Sequence, residues 1–91
     1  MIPTLIYKRQ FQKSYALLKP KIKDKVKETL DTFLDNPIDP RLWNHKLTGK
    51  ISHLRSLDVT GDYRIWIHQI DQQTYEIVEV IDVGTHSQLY W

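Results

Sequence analysis

Apolar positions along this 91-residue chain change their spacing midway, from a helical period in the first half to a strand period in the second. Ile2 to Tyr7 is a short apolar and β-branched run with Pro3 near its start, where a missing N–H does least harm, and it predicts a first strand. Phe11, Tyr15 and Leu18 then recur at spacings of four and three, and Ile22, Val26, Leu30, Phe33 and Leu34 continue the stripe with Lys, Asp and Glu between them. These positions predict two helices. Pro20 divides them, because it disfavours helix at Lys19 yet suits the first turn of the helix that follows. Asn36-Pro37 and Asp39-Pro40 end the second helix and open a loop.

Beyond the loop the period falls to two. Leu54 to Val59, Tyr63 to Ile70 and Tyr75 to Val83 read as strands, joined by turns at Thr60-Gly61-Asp62 and Asp71-Gln72-Gln73. In the middle strand Tyr63, Ile65 and Ile67 share one face, and Arg64, Trp66 and His68 share the other. The first face is assigned to the core and the second to a working surface, with Arg64 directed away from the core. The order β-α-α-β-β-β gives an α+β fold in which two helices pack on a mainly antiparallel sheet.

Composition narrows the function classes. At 41% hydrophobic content, 91 residues are enough for one domain, taken as 1–91. The absence of cysteine excludes a disulfide framework, a thiolate zinc site and a cysteine nucleophile. None of His45, His53, His68 and His86 is paired at a chelating spacing, so neither a metal nor another cofactor is expected. No apolar run approaches the roughly 20 residues that cross a bilayer, and the opening MIPTLIYKRQ lacks a signal-peptide pattern, so a cytoplasmic protein without membrane association is expected. The net charge of +2 hides an asymmetry: residues 1–50 carry 11 Lys or Arg against 5 Asp or Glu, residues 51–91 carry 2 against 6. A basic half of this kind attracts a polyanion such as RNA, or merely solvates the Lys19 to Lys27 helix.

The polar residues that bear on chemistry are His45 and Lys46 in the loop, Arg55 on the next strand, Asp62 in the turn, Arg64 two residues on, and His86 after the last strand. An antiparallel meander returns its last strand to the Asp62 turn, so His86 is expected to share a cleft with Asp62. Imidazole exchanges protons near neutral pH, and guanidinium holds phosphate. A ribonuclease without metal needs a base for the ribose 2′-OH, a cation for the phosphorane and an acid for the 5′-oxygen, and this set contains all three. The plainer reading leaves the aspartate to shape its turn and the arginines to surface ion pairs.

Four motifs add a resemblance: H-x-L-x-G at His45 to Gly49, Leu54-Arg55, G-D-Y-R at Gly61 to Arg64, and G-T-H-x-x-L-Y at Gly84 to Tyr90. Together they resemble the RelE/ParE toxin superfamily, in its YafQ-like branch, over nearly the whole chain. The resemblance implies a RelE-like fold and a ribosome-dependent endoribonuclease that cleaves mRNA in the ribosomal A site and is held inactive by a cognate antitoxin. It also allows a toxin–antitoxin hetero-oligomer that binds operator DNA through the antitoxin. His45, Asp62 and His86 fall on catalytic positions of that branch, Tyr90 on the aromatic that places the substrate, and Arg64 on a cationic strand residue. Arg55 and Lys46 are assigned to RNA phosphate by their neighbouring positions. One departure stands out: Asp58 occupies the place of a family histidine, four residues before the turn aspartate. The competing functions are a ParE-like gyrase inhibitor without RNase activity, and a catalytically decayed toxin that only binds antitoxin. Trp43 is expected to pack beneath the loop, Trp91 to reach RNA, and His53 and His68 to serve no site.

Overall fold

The computed structural model describes residues 2–90, so Trp91 and its expected RNA contact lie outside the described residues. Strands β1 (Thr4–Tyr7), β2 (His45–Lys46), β3 (Arg55–Asp58), β4 (Tyr63–Gln69) and β5 (Ile77–Thr85) form one sheet in the order β1-β5-β4-β3-β2. Only β1 runs parallel to its neighbour, β5; the other pairings are antiparallel. Helices α1 (Arg9–Ala16) and α2 (Pro20–Asp35) lie between β1 and β2 in the chain, and α3 (His86–Leu89) follows β5 directly. The expected α+β order is therefore present, with two short additions, β2 and α3.

Local chemistry sets the main boundaries. Pro20 opens α2, where its missing N–H is no loss, and Val26, Thr29, Leu30 and Phe33 recur on the buried side of that helix. Phe11 of α1 joins them against Leu57, Ile65, Ile67, Val78, Val80 and Val83 in the main core. Full burial of side chains such as Phe33 and Leu57 stabilises the fold by about 1.5–3 kcal/mol each.

The other sheet face departs from expectation. Instead of a bare working surface it carries a second core, in which Trp66 packs with Leu47, Leu54 and Leu89, bordered by Ile51 and Ile81. An irregularity in the pairing of β4 and β5 makes this two-sided packing possible. Trp66 is opposite Asp82 and Ile67 is opposite Val80, which leaves Ile81 as the extra residue of a bulge. The extra residue shifts the alternation, so Val78, Val80 and Val83 all reach the main core while Ile81 turns to the second. The last strand also lies later than expected, at 77–85, because residues 70–76 are spent in the connection from β4.

Candidate active site

The turn between β3 and β4 and the start of α3 meet at one end of the sheet, because Tyr63 is paired with Thr85. Thr60 shapes the turn: its Oγ1 accepts from the backbone N–H groups of Asp62 and Tyr63, each at 3.2 Å. Asp62 is thereby set at the tip, with no side-chain partner among the described residues. It lines a shallow concavity of about 380 Å³ together with Tyr63, Thr85, His86 and Ser87. The expected meeting of Asp62 and His86 is present in the fold.

His86 owes its position to a short helix that the hydrophobic pattern does not announce. Thr85 Oγ1 accepts from the Gln88 N–H at 3.3 Å while Gln88 Oε1 accepts from the Thr85 N–H at 2.8 Å, a capping box closed within one turn. Gly84 lets this turn fold back on β5, since a Cβ there would lie 3.0 Å from Gln88 Oε1 and 3.2 Å from Gln88 Cβ. On α3 the His86 ring lies against Tyr90 with centroids 4.4 Å apart, and Tyr90 meets Trp66 edge-on at 5.0 Å. The second core thus carries the aromatic that supports the histidine. The Trp66 Nε1–H is buried without a partner among the described residues, so packing alone holds that ring.

Arg64 is on the same sheet face as Trp66 but is far from free. Its Nε lies 3.0 Å from Asp58 Oδ1, off the line of a directed hydrogen bond, and Nη1 donates to the carbonyls of Thr60, Gly61 and Tyr63 at 2.9, 3.3 and 3.2 Å. The two side chains retain only 20% and 32% of their exposure. Asp58 is therefore the counterion of Arg64, and Nη2 is the guanidinium nitrogen left without a partner among the described residues.

His45 stands apart from Asp62 and His86, at the β2 edge, in a row with Ser56 and Trp66. Two strand spacings separate its backbone from that of Trp66, about 10 Å. Its Nδ1 lies 2.8 Å from the Trp43 carbonyl, and a carbonyl only accepts, so Nδ1 carries the proton and Nε2 presents the lone pair of the neutral ring. Trp43 does not pack beneath the loop as expected: it is 58% exposed, and its ring covers His45 with centroids 4.3 Å apart. The tryptophan sits in left-handed backbone, φ 42° and ψ 49°, as the cap of a 3₁₀ turn over Pro40–Leu42. That turn is anchored by Asp39, which accepts from Arg41 N at 2.9 Å and Arg41 Nη2 at 2.8 Å. The Arg41 side-chain hydrogen bond, helped by the Arg41 backbone N–H, lowers the Asp39 carboxyl to about 2.

Lys46 and Arg55 fall elsewhere. They are paired across β2 and β3, where the pleat turns them to the face opposite His45 and Ser56, and they line a different concavity near the connection after β4. His68 is bound at Nδ1 to Glu79 Oε1 at 3.0 Å, and Glu79 Oε2 also holds Lys8 at 3.1 Å. Two features near the candidate site that sequence reasoning missed are the exposed Trp43 and the Asp58–Arg64 pair. The T-x-x-Q spacing at Thr85 to Gln88 is a signal that marks α3 in the sequence.

A five-stranded, mostly antiparallel open sheet with two helices on one face is the fold of RelE-like toxin structures. The chain belongs to the YafQ family, bacterial toxins of type II toxin–antitoxin systems, whose family model matches residues 4–91. The crystal structure of E. coli YafQ is similar with a TM-score of 0.79 and 19% identity, covering 98% of this chain and 99% of that one. A chain of the E. coli DinJ-YafQ toxin-antitoxin complex is similar with a TM-score of 0.78 and 19% identity over 100% of both chains. A chain of the RelBE2 toxin-antitoxin complex of Mycobacterium tuberculosis gives 0.75 and 20% identity, covering 94% of this chain and 100% of that one. No protein of curated function matches the sequence.

Proposed function

We propose that this toxin is a ribosome-dependent endoribonuclease that cleaves mRNA in the ribosomal A site and thereby stops translation. The observation that carries the proposal is the shared concavity of Asp62 and His86, with Tyr90 stacked on the histidine. Asp62 takes the proton of the ribose 2′-OH as that oxygen attacks the adjacent phosphorus. His86 gives a proton to the departing 5′-oxygen, leaving a 2′,3′-cyclic phosphate and a 5′-hydroxyl. The free Nη2 of Arg64 faces the phosphorane charge, weakened by its Asp58 counterion. His45, with Nε2 open and its ring against Trp43, serves a proton transfer or a contact one nucleotide or more from the Asp62 concavity. Tyr90 and Trp43 offer exposed rings for bases.

A cognate antitoxin is part of the same proposal, since DinJ-YafQ and RelBE2 are complexes of that kind, and the pair is expected to bind operator DNA through the antitoxin. The exposed Lys19 before α2, and Lys21, Lys25 and Lys27 on it, supply attraction to ribosomal RNA. The test is purified toxin with programmed ribosomes and end-mapping of the mRNA. Cuts within the A-site codon that bear cyclic phosphate support the proposal. Intact mRNA alongside loss of DNA supercoiling would favour a gyrase inhibitor, and inertness in both assays a protein that only binds antitoxin.

A further inference from the structure

We infer that the concavity at the other end of the sheet, lined by Lys46, Ser52, His53, Arg55, Gln69 and Gln72, is an anion site that grips a phosphate of the RNA strand remote from the cut. The cavity measures about 230 Å³ and is cationic by construction: Lys46 and Arg55 line it beside His53, and among the described residues no carboxylate does. Arg55 is half-buried and fixed by neutral groups only. Its Nε donates to Asn44 Oδ1 at 2.6 Å, and Asn44 Nδ2 in turn donates to the Pro37 carbonyl and to Tyr75 Oη, both at 2.9 Å. A guanidinium held through Nε, with both Nη groups lacking protein partners among the described residues, is arranged as a fork for two phosphate oxygens. Gln69 is buried and likewise held, donating from Nε2 to the Thr74 carbonyl at 2.7 Å. Arg64 and Arg41, by contrast, each hold a carboxylate, Asp58 and Asp39, and Lys8 holds Glu79. In this concavity the counterion has to come from outside.

The site lies one length of β4 from the Asp62 turn, Tyr63 to Gln69, about 20 Å at the usual strand rise. That separation is too long for a single nucleotide, and because Lys46 and Arg55 are on the face opposite His45 and Ser56, an RNA strand that reaches both sites passes around the sheet edge. Its preference for an anion rests on this geometry alone, whereas RNA as the bearer of the phosphate rests on the proposed cleavage of mRNA.

Two arms test the inference on the full chain. In the first, a short RNA with every 2′-OH methylated, and so resistant to cleavage, is titrated by fluorescence anisotropy over a salt series. Arg55→Gln and Lys46→Gln should each weaken binding about tenfold and reduce the salt slope by about 0.7 for each phosphate no longer neutralised, whereas Arg55→Lys retains part of the affinity. Lys46 is exposed, so its variant remains informative even where a melt shows Arg55→Gln to be unfolded. Unchanged affinity and slope in folded Lys46→Gln and His53→Gln would overturn the site. In the second arm inorganic phosphate is titrated and followed through the His53 ring resonances. Saturable phosphate binding with no added affinity for RNA would overturn the assignment to a polynucleotide. Weakened RNA binding in the variants, beside a wild type that cuts no mRNA on ribosomes, would support the site and refute the nuclease function separately.

Discussion

Asp58→Asn separates two roles for the carboxylate beside Arg64. Should Asp58 act as the counterion of Arg64, neutralising it keeps the shape and raises the effective charge on the guanidinium. Arg64 retains the carbonyls of Thr60, Gly61 and Tyr63, and only the ion pair with Asp58 is lost, so the loss in stability is about 0.5–1.5 kcal/mol, or roughly 3–8 °C in melting temperature. A phosphorane seated on Nη2 lies on the order of 6 Å from the carboxylate, and at an effective dielectric of about 20–40 their repulsion is about 1.5–3 kcal/mol. Its removal should speed cleavage about tenfold or more. Single-turnover cleavage of ribosome-bound mRNA, read beside a thermal melt, decides the matter. A loss of cleavage of about a hundredfold in a folded variant would refute the reasoning and make Asp58 the proton acceptor.

Three further outcomes follow from the same geometry. Trp43→Gly relieves the left-handed backbone, so the variant should melt at or above the wild-type temperature while cleavage falls through loss of the ring on His45; a fall in both would assign Trp43 to stability. The Glu79 carboxyl is lowered by its hydrogen bond to His68 first and by Lys8 second, so its contribution is full above the ordinary carboxylate value of 4.5 and disappears as pH falls through the lower folded value. Glu79→Gln should therefore lower the melting temperature at pH 7 and match wild type in strong acid, and an equal deficit across that range would contradict the linkage. Lys21→Glu with Lys25→Glu should weaken ribosome binding and flatten its salt dependence without changing the melt, whereas unaltered binding would make that face merely solvated.

Periodicity announces the elements that bury one clean face. Val26, Leu30 and Phe33, or Ile65 and Ile67, lie where their spacing predicts, and the meander geometry brings Asp62 to His86. Features that arise from tertiary packing are not legible in this way. Trp66 reads as a surface residue because Leu47, Leu54 and Leu89, which cover it, come from a loop and a four-residue helix with no period of their own. The bulge at Ile81 resets the alternation of β5, so no strict period-two reading could place both Val80 and Val83 inside. Trp43 reads as packing because an exposed tryptophan in left-handed backbone is costly, and only the Asp39-anchored turn holds it there. Lys46 and Arg55 are close in sequence to candidate site residues, but strand alternation sends them to the opposite face from His45 and Ser56.

His86→Ala decides whether the concavity of Asp62 and His86 cuts mRNA. His86 is exposed and, among the described residues, its ring packs on Tyr90 alone, so the variant should fold and melt close to wild type, unlike a core change such as Leu30→Ala at about 2–5 kcal/mol. Primer extension on translated message should show cleavage slowed by roughly 10²–10⁴-fold with ribosome binding retained. Wild-type cleavage by folded His86→Ala would remove this concavity from the cleavage of mRNA.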